Sequence, residues 1–156
     1  MGTSHTMGRR PGGLPMSFTI EQREHDGVPI LALKGRLVAG DPVDGLRTKL
    51  LSMLEAAPTS GIRAVVLDCR ETSYIDSGGL GLLVLAHARA MKAQGKLPIF
   101  GLNRRGLELL ILTKLSTVFE LYQDETSAVN SCFPDRTAKR FDILEFVQKK
   151  RAEGGL

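Results

Sequence analysis

A run of consecutive apolar residues at 64–67 (AVVL) constrains the fold more than any other feature of the sequence. Successive side chains of a strand point to opposite faces, so a strand that is apolar at every position must be covered on both faces. Such strands are typical of parallel sheets with helices on each side. The run lies between two segments of helical periodicity, which indicates a strand enclosed by crossover helices.

The order of patterns along the chain predicts an α/β protein with a mostly parallel sheet. Two strands joined by the turn dipeptide Asp26-Gly27 open the chain's folded part as an antiparallel hairpin. Helices and strands then alternate, and this alternation requires parallel strands with helical crossovers. The predicted strands are 18–23, 28–37, 64–67, 97–102 and 118–122.

Helix starts are marked by short polar residues that can accept hydrogen bonds from the first turn. The first helix opens with Asp41-Pro42, where Asp41 is the predicted N-cap and Pro42 the first helical residue. The next helices are predicted at 76–94, after Asn103 as a cap, and at 125–133. A last amphipathic helix is predicted at 139–152.

The excess of positive charge lies at the ends of the chain. The net charge is +4, yet residues 16–134 hold 13 basic and 13 acidic residues. A nucleic-acid-binding domain needs positive charge on a folded face, so we expect no direct nucleic-acid binding. The composition divides the chain into a disordered leader or tag remnant at 1–15, a domain at 16–134 and a helical extension at 135–156.

The sequence contains no pattern for a metal, a cofactor or a membrane span. Cys69 and Cys132 are too far apart for a CxxC pair, which favours a reduced, cytoplasmic protein. The Gly-Lys-Ser/Thr triplet of a phosphate-binding loop is missing. No apolar run approaches the ~20 residues of a membrane-spanning helix. We therefore predict neither a metal nor a cofactor.

The segment 76–81 (DSGGLG), at the start of the second predicted helix, is where chemistry is concentrated. Each of its three glycines weakens the helix by ~1 kcal/mol relative to alanine, and together they leave Ser77 poorly shielded. One interpretation is structural, with Asp76 or Ser77 as the helix cap and the glycines allowing close packing on the sheet. The other interpretation is a reactive hydroxyl on Ser77.

A serine hydrolase is poorly supported by the residues around Ser77. The segment 75–79 lacks the first glycine of the GxSxG nucleophile elbow. His87 follows on the same helix, ~15 Å away, and nothing in the sequence brings His25 to the serine. Because a triad needs a base beside the nucleophile, no catalytic residue is assigned.

The segment 65–85 (VVLDCRETSYIDSGGLGLLVL) resembles the signature of STAS domains, and in particular of bacterial anti-sigma factor antagonists. The resemblance covers about residues 17–133. It implies a single STAS-like domain whose mixed, mostly parallel sheet has four to five strands, followed by a C-terminal helix. In that family the serine of the Asp-Ser-x-Gly-Leu-Gly motif is phosphorylated by a partner that is both an anti-sigma factor and a serine kinase.

Carried over to this sequence, the resemblance implies Ser77 as the phosphoacceptor of a protein that is not an enzyme. The implied partner-binding residues are Asp76, Ser77, Gly78, Gly79 and Asp41. The unphosphorylated protein is expected to bind the anti-sigma factor kinase and so release the sigma factor. Phosphorylation adds about −1.5 to −2 charges, which is expected to switch the binding off.

The sequence departs from the family pattern at one strand end. Family members often carry an Asp directly after the Gly-x-Leu end of the second strand, where it helps to contact the kinase. Val38 takes that place here, and Asp41 is the nearest acid. An alternative function is therefore a phosphorylation-independent scaffold subunit, stressosome-like or transporter-associated.

Two further questions stay open at the level of sequence. Thr72, Ser73 and Tyr74 precede the motif and compete with Ser77 as phosphoacceptors. The basic helix at 139–152 is either an amphipathic cap over the sheet or a contact for a homodimer or another partner.

Overall fold

A computed structural model describes residues 5–7, 18–56 and 63–155 of the chain. The described residues form strands β1 His5–Met7, β2 Phe18–His25, β3 Val28–Leu37, β4 Val66–Asp68, β5 Thr72–Ile75, β6 Ile99–Phe100 and β7 Leu121–Tyr122. They also form helices α1 Asp41–Glu55, α2 Ser77–Lys92, α3 Arg104–Leu112, α4 Glu125–Asn130 and α5 Ile143–Ala152.

The strands join in one mixed sheet with the order β1-β2-β3-β4-β6-β7. The pairs β1–β2 and β2–β3 are antiparallel, and every pair from β3 to β7 is parallel. The strand β4 pairs with the middle of β3, whereas β5 pairs in parallel with the carboxyl end of β3. The predicted α/β class with an antiparallel hairpin is thus confirmed, although the sheet has more strands than the four to five expected.

The sheet is covered on both faces, as the apolar run at 64–67 predicts. One face carries the larger core, in which Leu46, Leu50, Leu82 and Leu83 of α1 and α2 are almost completely buried. The other face is covered in part by α4, whose Ala128 and other apolar side chains pack on β3, β4 and β6. This arrangement is a mixed, mostly parallel sheet that is covered on both faces by layers of unequal size.

Strand β5 was not expected from the sequence, which predicts a loop there. Its residues 72–75 (TSYI) are largely polar, and two of the four side chains are exposed. The segment becomes a strand because Gly35 to Leu37 of β3 offer a free row of backbone groups for pairing. The last two strands of the sheet are shorter than predicted, with two residues each.

The leader and the C-terminal extension also differ from expectation. Residues 5–7 form β1 rather than a structureless segment, and the rest of 1–15 lies outside the described residues. The last helix begins at Ile143 instead of 139, because Arg140 pairs antiparallel with Tyr122 at the edge of the sheet. Helix α5 then packs Phe146 and its neighbours against the larger core.

Candidate functional site at the start of helix α2

Helices α1 and α2 begin at the same edge of the sheet. Strands β3 and β5 run in parallel and end in register, with Leu37 opposite Ile75. Each strand is followed within a few residues by a helix, so the segments 38–41 and 76–79 become neighbours. Ligand and partner sites of α/β proteins commonly lie at this carboxyl edge of parallel strands.

The carboxylate of Asp76 holds these two segments together. Its Oδ1 accepts a hydrogen bond from the Gly79 N–H at 2.8 Å, which makes Asp76 the N-cap of α2. Its Oδ2 accepts a second hydrogen bond from the Ala39 N–H at 3.0 Å, in the connection between β3 and α1. One side chain therefore caps a helix and fixes the adjoining loop.

These contacts also settle the charge of Asp76. The hydrogen bonds from the backbone N–H groups of Ala39 and Gly79 lower the pKa of the Asp76 carboxyl, because they stabilise its ionised form. The positive end of the α2 dipole acts in the same direction. Asp76 is thus a fixed negative charge directly beside Ser77.

Two of the glycines allow α2 to approach β3 closely. A Cβ atom on Gly79 would lie 2.4 Å from the Leu37 carbonyl oxygen, and one on Gly78 would lie 2.9 Å from the Ala39 Cβ. Gly81 differs, because a Cβ atom there would meet nothing within 4 Å. The packing role expected of the glycines therefore belongs to Gly78 and Gly79, whereas Gly81 leaves the helix surface bare.

Ser77 is the first residue of α2, and it is exposed. Its hydroxyl makes no hydrogen bond with any residue that the structure describes. The cap role, which the sequence left open between two residues, belongs to Asp76, so the Ser77 hydroxyl has no structural task. The prediction that this hydroxyl faces solvent is confirmed.

The competing phosphoacceptors differ in accessibility. The Thr72 side chain is buried, and its Oγ1 donates a hydrogen bond of 2.7 Å to the Leu33 carbonyl. Tyr74 is 40% exposed, and its ring lies under the Arg36 guanidinium at 5.1 Å. Ser73 is also exposed. The structure thus excludes Thr72 as an accessible phosphoacceptor candidate and leaves Ser73 and Tyr74 as accessible alternatives to Ser77.

Neither His25 nor His87 reaches Ser77. His25 lies before the start of β3 and Ser77 lies beyond its end, a separation of about 30 Å along the strand. His25 instead contacts Glu125, with 2.7 Å between Nδ1 and Oε2. His87 is partly buried and packs edge-on against the buried Phe119 ring. Neither of these two histidines is therefore placed to act as a base for a hydrolytic Ser77.

Asp41 lies at the same edge of the sheet but does not have its predicted local role. The N-cap of α1 is Gly40, and Asp41 is the first helical residue with Pro42 second. The chain leaves β3 through a sharp turn in which Gly40 has a φ of 106°, a conformation that favours glycine over aspartate. The Asp41 side chain is exposed in the first turn, where its charge suits the helix dipole.

A cluster of charged side chains on the far face of the sheet was not found from the sequence. Asp68 is 5% exposed, and its carboxylate accepts hydrogen bonds from Arg23 at 2.9 Å and from Arg70 at 2.8 Å. Arg23 and His25 also contact Glu125 of α4. Burial raises the pKa of Asp68, but the bonds from Arg70 and Arg23 outweigh it and hold the pKa below its usual value.

This charged cluster serves to attach α4 to the sheet. Its five members come from β2, β4, the β4–β5 connection and α4, and these elements include distant parts of the chain, so no local motif reveals the cluster. Because each acid is paired with a base, the cluster is a closed ion-pair network rather than a site with free ligands.

Metal and thiol chemistry have little support in the described part of the chain. Its histidine, cysteine and acidic side chains form no group of three that could hold a metal ion. Burial raises the pKa of the Cys69 thiol to about 12, so this sulfur stays protonated and inert. None of the helices in the described ranges is both long and apolar enough to cross a membrane.

Comparison with known proteins shows which family contains this domain. A family model of the STAS domain matches residues 19–128, which include the strands β2 to β7 and the α2 motif. The chain belongs to the STAS domain family. The STAS match ends before the C-terminal segment, so α5 lies outside the shared domain.

Individual relatives of this STAS domain are named as antagonists of anti-sigma factors. The chain is 31% identical to an anti-sigma-B factor antagonist of Listeria monocytogenes over 106 residues, covering 68% of this chain and 88% of the relative. It is 26% identical to an anti-sigma F factor antagonist of Paenibacillus polymyxa over 114 residues, covering 73% and 94%.

A solved structure supports the same fold. The crystal structure of an anti-sigma factor antagonist from Mycobacterium paratuberculosis matches with a TM-score of 0.63 and 22% identity, covering 76% of this chain and 97% of that chain. At this level of identity the likeness concerns the fold of the STAS domain.

Proposed function

We propose that this STAS domain is a cytoplasmic anti-sigma factor antagonist controlled by phosphorylation of Ser77. Its unphosphorylated form binds an anti-sigma factor that is also a serine kinase, and the bound sigma factor is thereby released. Phosphorylation of Ser77 by the same partner ends the binding. The protein acts as a phosphoryl acceptor and a binding partner, and it catalyses no reaction itself.

The observation that carries this proposal is the exposed Ser77 hydroxyl at the first position of α2. A buried or hydrogen-bonded hydroxyl could be modified only after local unfolding. Here Asp76 caps the helix, and Gly78 and Gly79 anchor the helix start against β3, so Ser77 stands on a rigid element. A kinase can therefore reach the hydroxyl without disturbing the fold.

The partner-binding surface consists of the residues around this hydroxyl. Asp76, Gly78 and Gly79 define its shape, and Asp41 adds an exposed carboxylate at the start of α1. Gly81 leaves the next turn of α2 bare, which allows a partner to approach the backbone closely. The named antagonists among the relatives support an anti-sigma factor as the partner.

A phosphate on Ser77 changes this surface more than it changes the fold. It brings about −1.5 to −2 charges next to the Asp76 carboxylate. The positive end of the α2 dipole tolerates this charge, so the fold need not change. Charge and bulk then oppose docking. A loss of about 3–4 kcal/mol weakens binding several hundredfold, which suffices for a switch.

The transfer of the phosphoryl group needs a base, and we expect the partner kinase to supply it. The Ser77 Oγ forms a bond to the γ-phosphorus of ATP as the bond to the β–γ bridging oxygen breaks, and ADP leaves. The hydroxyl proton must pass to a base. The histidines His25 and His87 are engaged elsewhere in this chain, so the kinase supplies the base.

The decisive experiment is phosphorylation with a purified cognate anti-sigma factor kinase and ATP. We expect the intact mass to rise by one phosphoryl group, and peptide mapping to place it on Ser77. Ser77→Ala should block the modification and bind the kinase constitutively, whereas Ser77→Asp should bind several hundredfold more weakly. Ser73→Ala is the matched control and should be modified as the wild type is.

Two outcomes would contradict the proposal. Modification at Ser73 or Tyr74 instead of Ser77 would move the switch to β5. Unchanged kinase binding by both Ser77 variants, together with self-association of the purified protein, would instead favour the phosphorylation-independent scaffold.

A further inference from the structure

A groove between β5 and α3 lies next to the Ser77 surface and has no role in the fold described so far. Its volume is about 230 Å³, and Tyr74, Ile75, Leu109 and Leu112 form its apolar walls. Strand β5 ends at Ile75, two residues before Ser77, so the groove and the phosphoacceptor share one edge of the sheet.

The walls of the groove expose large apolar side chains. Leu112 is 69% exposed and Tyr74 is 40% exposed, although both line the same depression. Single exposed apolar residues are common on protein surfaces, but paired ones that line a groove favour contact with another molecule.

The charge at the start of α3 is unfavourable for the helix itself. Arg104 and Arg105 occupy its first turn, where the helix dipole favours negative groups, and this turn contains no acid. Arg104 is compensated, because it lies 3.4 Å from Glu108 and 2.6 Å from Glu153. Arg105 is exposed and has no ion pair or hydrogen bond with any residue in the described ranges.

The acid in the groove wall is already neutralised from α5. The Lys150 Nζ lies 2.6 Å from a Glu108 carboxylate oxygen, and the Lys150 side chain is only 11% exposed. The hydrogen bond from Lys150 lowers the pKa of Glu108, which keeps the acid ionised and paired. The groove therefore presents the positive charge of Arg105 beside the apolar side chains.

We propose that this groove is part of the kinase-binding surface and takes an acidic segment of the anti-sigma factor kinase, with an apolar side chain of that segment between Tyr74 and Leu112. The inference rests on the proposed function and extends its surface from α2 to α3. A partner carboxylate compensates both Arg105 and the positive end of the α3 dipole. The same negative segment is repelled when Ser77 carries a phosphate, which links the groove to the switch.

The test measures the dissociation constant of the unphosphorylated full chain and the purified kinase in the presence of ADP. Arg105→Glu should weaken binding about thirtyfold or more, because it reverses the complementary charge. Lys92→Glu is its control, since it makes the same charge change at the far end of α2 and should change binding less than about twofold. Arg105→Glu suits the helix dipole, so the variant should fold.

The apolar part of the groove has an equally close control. Leu112→Gln should weaken binding about tenfold, as expected for an apolar contact at the centre of an interface. Leu144→Gln makes the same change on α5 at a residue that is 67% exposed, close to the exposure of Leu112, and should leave binding unchanged.

The outcomes separate this inference from the proposed function. If Arg105→Glu and Leu112→Gln bind as their controls do while Ser77→Asp loses binding, the groove inference is wrong and the Ser77 switch stands. If Ser77→Asp binds as the wild type does, or the wild-type chain does not bind the kinase, the proposed function is wrong and the inference falls with it.

Discussion

Helices α2 and α3 begin with the same capping arrangement and opposite electrostatics. In α2 the Asp76 side chain accepts a hydrogen bond of 2.8 Å from the Gly79 N–H, and in α3 the Asn103 side chain accepts one of 2.8 Å from the Gly106 N–H. The first cap is an anion followed by a neutral serine. The second is neutral and is followed by two arginines.

The comparison shows that two helix starts of equal geometry can serve different purposes. At α2 the anionic cap suits the dipole, and Gly78 and Gly79 lower helix propensity but fit the close packing at the end of β3. At α3 the cap suits the helix while Arg105 opposes it. A local conflict of this kind is expected where a residue is retained for a function other than stability.

The largest difference in stability between the two helix starts is expected from the glycine three residues after each cap, Gly79 in α2 and Gly106 in α3. Gly79→Ala should lower the free energy of unfolding by about 2–3 kcal/mol, because the new Cβ would lie 2.4 Å from the Leu37 carbonyl oxygen. Gly106→Ala should change it by less than about 1 kcal/mol, since its nearest neighbour is the flexible Leu102 side chain at 3.2 Å. Urea denaturation measures both.

Gly81→Ala is the control for the glycine experiment. Its Cβ would meet nothing within 4 Å, so alanine should stabilise α2 by up to about 1 kcal/mol through helix propensity alone. Equal losses from Gly79→Ala and Gly81→Ala would show that backbone contact with β3 does not set the position of α2.

Removal of the two caps should have the next largest effect. Asp76→Ala should cost about 1–2 kcal/mol, because it loses the bonds to both Gly79 and Ala39. Asn103→Ala should cost about 1 kcal/mol, since its amide makes only long contacts of 3.3 Å to Thr72 and Ser73 besides the cap. Urea denaturation measures both losses. A larger loss of unfolding free energy for Asn103→Ala than for Asp76→Ala would show that the α3 cap contributes more to stability than the α2 cap.

The two caps should also differ in their response to pH. The hydrogen bonds from Ala39 and Gly79 depress the pKa of Asp76 in the folded state. Its contribution to stability is therefore complete above the unfolded value of about 3.9 and is lost as the pH falls through the folded value. The stability difference between wild type and Asp76→Asn should shrink below about pH 4, whereas the cost of Asn103→Ala should not change.

The smallest effect is expected at the arginines of α3. Arg105→Gln should raise the free energy of unfolding by about 0.3–0.5 kcal/mol, because it removes an uncompensated cation from the positive end of the helix. Arg104→Gln should lower it slightly, since two surface ion pairs are lost. Thermal unfolding at low salt measures the difference, and a loss of stability for Arg105→Gln would show that Arg105 is compensated within the fold.

Features that depend on neighbouring residues were predictable from the sequence. The hairpin at Asp26-Gly27, the cap Asn103 and the exposed Ser77 follow from local patterns, and the structure confirms them. Local patterns left the cap of α2 open between Asp76 and Ser77, and the structure assigns it to Asp76. The cap of α1 was predicted incorrectly as Asp41, because the turn out of β3 places Gly40 at that position. That turn is set by the path of the chain between two elements.

Other features depended on residues distant in the chain. Strand β5 is polar and becomes a strand only by pairing with the end of β3. Thr72 and Ser77 differ as candidate phosphoacceptors because Thr72 is buried and its hydroxyl donates a hydrogen bond to the Leu33 carbonyl. The extension was expected to be helical from 139, but residues 139–141 instead join the edge of β7.

The sequence by itself determined the α/β class and the position of the motif, with its serine, at a helix start. These depend on periodicity and capping, which act over a few residues. The tertiary structure decided which polar side chains form hydrogen bonds within the fold and which stay accessible on the surface. It engages Asp76 and Thr72 and leaves the side chains of Ser77 and Arg105 without a hydrogen bond or ion pair within the described ranges. The reason is that hydrogen bonding and burial are settled only when distant segments meet.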